Sequence, residues 1–101
     1  MDGMARVVLV VFDGFQLLDL AGPADVFDAA NQVLGRDAYT LEPVSVAGGA
    51  VRAGNVVAVA SGSVRSALRE PIDIHLVARG WPVARAGLAR SLVELGALAP
   101  V

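Results

Sequence analysis

The sequence predicts an α/β fold: a doubly wound, mostly parallel sheet with helices between its strands and a small antiparallel hairpin arm. Three observations lead there. Residues 7–12 form a continuous Val-rich run with no polar alternation, the pattern of a strand buried on both faces. The following segment carries Leu17, Leu18, Leu20, Val26, Phe27, Ala30, Val33 and Leu34, and from Val26 onward the spacing of three and four suits a helix with one apolar face. A second apolar run, residues 72–78, is again followed by a helical pattern. Strands alternating with helices build a parallel sheet through right-handed crossovers.

Taken in order, the stretch 6–31 organises the chain. Its strand turns through Asp13-Gly14 into the helix, and Gly35 is placed to cap the helix C-terminus. Residues 39–47 read as a second strand. Pro43 has no N–H for a ladder, so that strand is expected at an edge or with a bulge. Residues 51–52 and 56–59 pair as the hairpin arm across 53–55, and residues 61–70 read as a short, weakly specified helix or loop. Residues 72–78 form another buried strand. Pro82 opens a helix to about residue 95, with Val83, Ala86, Ala89, Leu92 and Leu95 at three-residue steps, and Gly96 and Pro100 end it.

Composition excludes several classes. With 55% apolar and 18% charged residues in 101, the chain matches the inner part of a larger α/β domain better than a complete one. The eight arginines are scattered and the net charge is −2, so direct nucleic-acid binding is not expected. Without cysteine there is no disulfide or thiolate chemistry within the chain. The run after Arg6 falls short of the ~7–15 residues of a signal-peptide core. No window approaches the ~20 apolar residues of a membrane span. A cytoplasmic protein is therefore expected, away from membranes.

In doubly wound sheets ligands sit beyond the carboxyl ends of the strands. Two loops fall there, 13–19 and 79–81. Asp19 lies between Leu18 and Leu20 at the start of the first helix. It reads either as an acid near a helix N-terminus or as a carboxylate poised to share a proton with a nucleophile. Asp25 and Asp28 read as the solvated helix face. The N–H of Gly80 could face a developing oxyanion, or Gly80 could be a turn glycine with an unusual dihedral. His75, in mid-strand, reads as a buried, hydrogen-bonded ring; alone it makes neither a metal site nor a serine triad. Neither a phosphate loop nor a dinucleotide fingerprint is present, so no cofactor is expected.

These residues carry a resemblance. The segment VVLVVFDGFQLLDLAGPADVF resembles the opening of the PfpI / DJ-one superfamily, whose members have a class I glutamine-amidotransferase-like, flavodoxin-like fold. The Leu18-Asp19-Leu20, Gly22-Pro23 and Val26-Phe27 pattern is most similar to the branch of isonitrile hydratases and amino-terminal domains of AraC-type (GlxA-type) transcriptional regulators. Residues 71–80, PIDIHLVARG, resemble that branch's later strand. The resemblance implies that Asp19 matches the acid that tunes the family's nucleophilic cysteine, and that Gly80 matches the second glycine of an oxyanion-hole pair. That cysteine would follow the next strand, beyond Val101. Arg79 stands in place of the first glycine, and Trp81 where a small residue or proline is usual. The expectation is then residues 1–101 as the amino-terminal portion of one PfpI-like domain. It would belong to the ligand-sensing part of an AraC-type regulator, with a small-molecule ligand, a homodimer as in the family, and no catalysis of its own. The alternatives are a truncated isonitrile-hydratase-like or amidase-like enzyme, and an interaction module that pairs through an open sheet edge.

Overall fold

The structure, a computed structural model, describes residues 4–80 and 82–96. Its elements are β1 (Ala5–Val10), α1 (Leu18–Leu34), β2 (Tyr39–Ser45), β3 (Gly49–Ala53), β4 (Val57–Ser63), α2 (Val64–Ala67), β5 (Ile74–Val77) and α3 (Pro82–Glu94). The strands form a five-stranded sheet in the order β3-β4-β2-β1-β5. Every pairing is parallel except β3 with β4, which is the antiparallel arm. The predicted fold class, a mostly parallel, flavodoxin-like α/β sheet with a small arm, is the one observed.

β1 is the centre of the core. Val7, Leu9 and Val11 are each 1% exposed or less. Strand side chains alternate between the two faces of a sheet, so Leu9 and Val10 serve opposite layers. Leu9 lines a depression with Pro23 of α1 and Leu76. Val8 and Val10 line an apolar crevice with Val64 and Ala67 of α2 and Leu92 of α3. Helices therefore cover both faces, and burying one such aliphatic side chain contributes about 1.5–3 kcal/mol.

The ends of α1 follow from local chemistry. Gly35 adopts φ 69°, and its N–H and that of Arg36 reach the carbonyls of Gln32 and Asn31. The left-handed conformation is one that glycine reaches without a Cβ penalty. Asn31 then fixes the entry to β2 by holding both the N–H and the carbonyl of Tyr39. Asp25 and Asp28 are exposed, as expected. Ser63 caps α2 by accepting the N–H of Ser66, which turns residues 61–70 into the end of β4 and a short helix.

Several sequence expectations are corrected. Val26, Val33 and Leu34 do not form a core face: Val33 is 86% exposed and the other two are exposed. The packed side of α1 is instead Leu20, Phe27 and Asn31, with the Phe27 ring 5.0 Å from Tyr39. Residue spacing finds an apolar stripe but not the angle at which the helix meets the sheet. β2 is an interior strand, despite Pro43. It meets β4 only at Val44 and Ser45, so on that side Pro43 lies where no ladder forms. Among the described residues β5 is the edge strand, with alternating half-buried and exposed residues, not a fully buried one. His75 is accordingly exposed rather than buried, because its face of β5 is only partly covered. Among the described side chains of α3, Leu88 and Leu92 are buried and Ala89 is exposed, and Leu95, just beyond the helix, is half-buried. Trp81 and Pro100 lie outside the described residues, as do the side chains of Val83 and Ala86.

Candidate ligand crevice at the switch point

Successive strands leave β1 in opposite directions, β2 to one side and β5 to the other. The carboxyl end of β1 is therefore the point at which the strand order reverses, where open α/β sheets form ligand crevices. The loop after β1 is tied down on both sides. Asp13 accepts the N–H of Arg52, Gly14 donates to the Arg52 carbonyl, and Phe15 bridges to Ala53. On the other side the Gln16 N–H donates to the Arg79 carbonyl at 2.9 Å. Between these ties lies an open crevice of about 640 Å³, lined by Gly14, Phe15, Gln16, Leu18, Gly54 and Gly80 among others.

Asp19 is the second residue of α1, and its side chain is only 16% exposed. It is engaged by the residue after the β5 strand. Oδ2 accepts the backbone N–H of Arg79 at 2.7 Å and its Nε at 2.9 Å, and Oδ1 accepts Nη2 at 2.9 Å. The hydrogen bond that the guanidinium donates to Asp19, and then the charge of Asp19, hold Arg79 above the usual arginine value. Through these bonds Asp19 fastens α1 to the end of β5.

Gly80 has no left-handed dihedral. Its reason for being glycine is close approach: a Cβ there would sit 2.6 Å from Phe12 Cε2 and 2.8 Å from Cζ. The expected unusual backbone conformation is thus replaced by a packing constraint. Gly80 borders the 640 Å³ crevice. Asp19 borders a separate, shallower depression of about 310 Å³ with Leu9, Pro23, Leu76 and Arg79, and Leu18 stands between the two. The loops 13–19 and 79–80 do come together, but Asp19 and Gly80 do not face one cavity.

The role of Arg79 as the partner of Asp19 was not legible from motif spacing. A cation at the end of the strand that neighbours β1 was the available signal. Phe15 and Gln16, which line the crevice, lie in apolar and loop contexts that carry no chemical signature. Among the described residues no group of three His, Cys, Asp or Glu side chains is placed to hold a metal ion, and no helix is long and apolar enough to cross a membrane.

No family model matches the chain. It is 56% identical over 50 residues to an uncharacterised protein in the cpoL 5′ region of Streptomyces lividans, a match covering 50% of this chain and 34% of that protein. Its structure is similar to the crystal structure of an AraC family transcriptional regulator from Pseudomonas putida, with a TM-score of 0.71 and 25% identity. That similarity covers 92% of this chain and 51% of the regulator's. The chain thus spans about a third of the curated relative and half of the solved regulator.

Proposed function

We propose that residues 1–101 are the amino-terminal portion of a single PfpI-like domain, belonging to the ligand-sensing part of an AraC-type transcriptional regulator and without catalysis of its own. The observation that carries the reading is the structural likeness to an AraC family regulator over 92% of the chain. Two features of the sheet support it. β5 is left at an edge, and α3 follows it on the face that a right-handed crossover to a further parallel strand requires. The chemistry of the site points the same way. Asp19 accepts hydrogen bonds from Arg79, and a crevice of about 640 Å³ lies open beside it. In this reading the crevice takes a small molecule at the switch point, and the response is carried to a DNA-binding segment elsewhere in the polypeptide.

The test is a ligand screen followed by amide chemical shifts on the labelled chain. A ligand of this crevice moves the amides of Gly14, Gln16, Leu18 and Gly80 and leaves those of α3 in place. Ligands that shift only residues elsewhere would overturn the site. The absence of catalysis is tested by assaying isonitrile hydration and the hydrolysis of small amides and dicarbonyls. Turnover above background that is lost in Asp19→Ala would overturn that part.

A further inference from the structure

A second crevice opens on the other side of the loop that follows β1. Its volume is about 360 Å³, within the ~300–1,000 Å³ of small-molecule pockets. The ends of β1 and β2, the arm strand β3 and helix α3 line it, and β5 contributes nothing to the described lining. It shares no described residue with the crevice at Gly80: Asp13 borders the one and Gly14 the other. Its wall is apolar at Val11, Val51 and Leu88, all buried.

Gly87, on the α3 side of this wall, has no local reason to be glycine. It lies inside a helix, where glycine is disfavoured. Its φ is not left-handed, and a Cβ there would meet nothing within 4 Å among the described residues. What its missing side chain leaves is room in the crevice.

Three acceptors on the lining are unused. Asp13 takes the Arg52 N–H at Oδ1, and its Oδ2 has no hydrogen bond among the described residues. The Ser91 hydroxyl, half-buried on α3, has none either. The third is the Ala50 carbonyl. The Arg52 carbonyl accepts from Gly14 and its N–H donates to Asp13, so the Arg52 backbone turns away from β4. Antiparallel pairs alternate between bonded and non-bonded, so the Ala50 backbone turns away from β4 as well. By contrast, the Ser45 hydroxyl is occupied by Ser61 and the Gly48 N–H. Asp13 is the one ionisable side chain on the described lining.

We propose that this crevice binds a small primary amine as its ammonium ion. Asp13, Ser91 and the Ala50 carbonyl hold the ammonium, and the hydrocarbon body lies against Val11, Val51 and Leu88. A carboxylate with no cationic side chain beside it on the lining attracts a cation and repels an anion. An ammonium carries three N–H donors and no acceptor, which matches three open acceptors. An alcohol brings one donor and no charge, and a quaternary ammonium brings the charge without a donor. The inference does not rest on ligand sensing at the Gly80 crevice, because different amides report the two sites.

The probes are primary amines from ethylamine to phenethylamine, with phenethyl alcohol and N,N,N-trimethylphenethylammonium as matched controls. Titrated into the labelled 101-residue chain, the amines are expected to give saturable amide shifts at Gly48, Ala50, Gly87 and Ser91. Both controls should bind at least about tenfold more weakly than phenethylamine, since neither makes a charge-assisted N–H bond. Asp13→Asn keeps an oxygen for the Arg52 N–H but loses the charge, and should weaken the amines by at least about tenfold with an unchanged circular dichroism spectrum. Gly87→Leu puts a good helix former where a Cβ meets open space, so it should keep the fold and abolish the shifts. No saturable shift from any amine, equal binding of either control, or folded variants that bind as the parent does would each overturn the proposal. Shifts confined to Gly14, Gln16, Leu18 and Gly80 would overturn it too, while leaving the first crevice standing.

Discussion

Two apolar strands of this chain, β1 and β5, are neighbours in the sheet and similar in sequence, yet their surroundings differ. β1 has a strand on each side and helices over both faces, and Leu9 is 1% exposed. Among the described residues β5 has one neighbouring strand, and Val77, in register with the buried Val10, is 43% exposed. The difference teaches that apolar composition reports that a segment enters a sheet, whereas the number of neighbours reports how much of it is buried. Charge does not divide the two: the apolar run 7–12 is bracketed by Arg6 and Asp13 as β5 is by Asp73 and Arg79, each tied to a neighbouring segment.

Substitutions rank along this contrast. Leu9→Ala, in the doubly covered strand, should cost about 2–5 kcal/mol in a urea unfolding titration, because a cavity between two layers cannot collapse freely. A cost comparable to that of a surface residue would show that the sheet is not packed on both faces at β1. Gly80→Ala should cost about 1–3 kcal/mol, since a methyl group must displace the Phe12 ring. If that variant is neutral in the same titration, the close approach of Gly80 to Phe12 is wrong.

Asp19→Ala should cost about 1–2 kcal/mol, because it removes the acceptor of a backbone N–H as well as an ion pair. Arg79→Ala keeps the backbone bond and loses only an exposed guanidinium, so it should cost less than Asp19→Ala. Equal losses in thermal melts of the two variants would place the stabilisation in the ion pair rather than in the backbone bond. At the small end, Val77→Ser should stay within about 0.5 kcal/mol of the parent. A larger loss from that change would mean that the outer side of β5 is covered after all, and would remove the contrast with β1.

Much of this was legible in one dimension. The first strand, the turn at Asp13-Gly14, the helix C-cap at Gly35, the antiparallel arm and the helix beginning at Pro82 all rest on local chemistry. A dihedral preference, a missing N–H or an unbroken apolar run acts through nearest neighbours in the chain. Asp19 and Gly80 could be singled out for the same reason, since each breaks the pattern around it. Their meaning could not be read. The partner of Asp19 is sixty residues away in sequence, on a strand whose placement beside β1 depends on the whole sheet. Gly80 is constrained by Phe12, an aromatic ring at the end of another strand. His75 and Val33 were misjudged for a related reason: apolar neighbours along the chain do not ensure apolar neighbours in space.

By itself, then, the sequence determined the kind of elements and their order, because short-range sterics and hydrogen-bonding needs act within a few residues. The tertiary structure alone decided which strand became the edge, which side of α1 met the sheet, and that Asp19 closes on Arg79 instead of opening into the crevice. Those outcomes depend on long-range pairings, whose free energy is shared among many residues and is written in no single stretch of the chain.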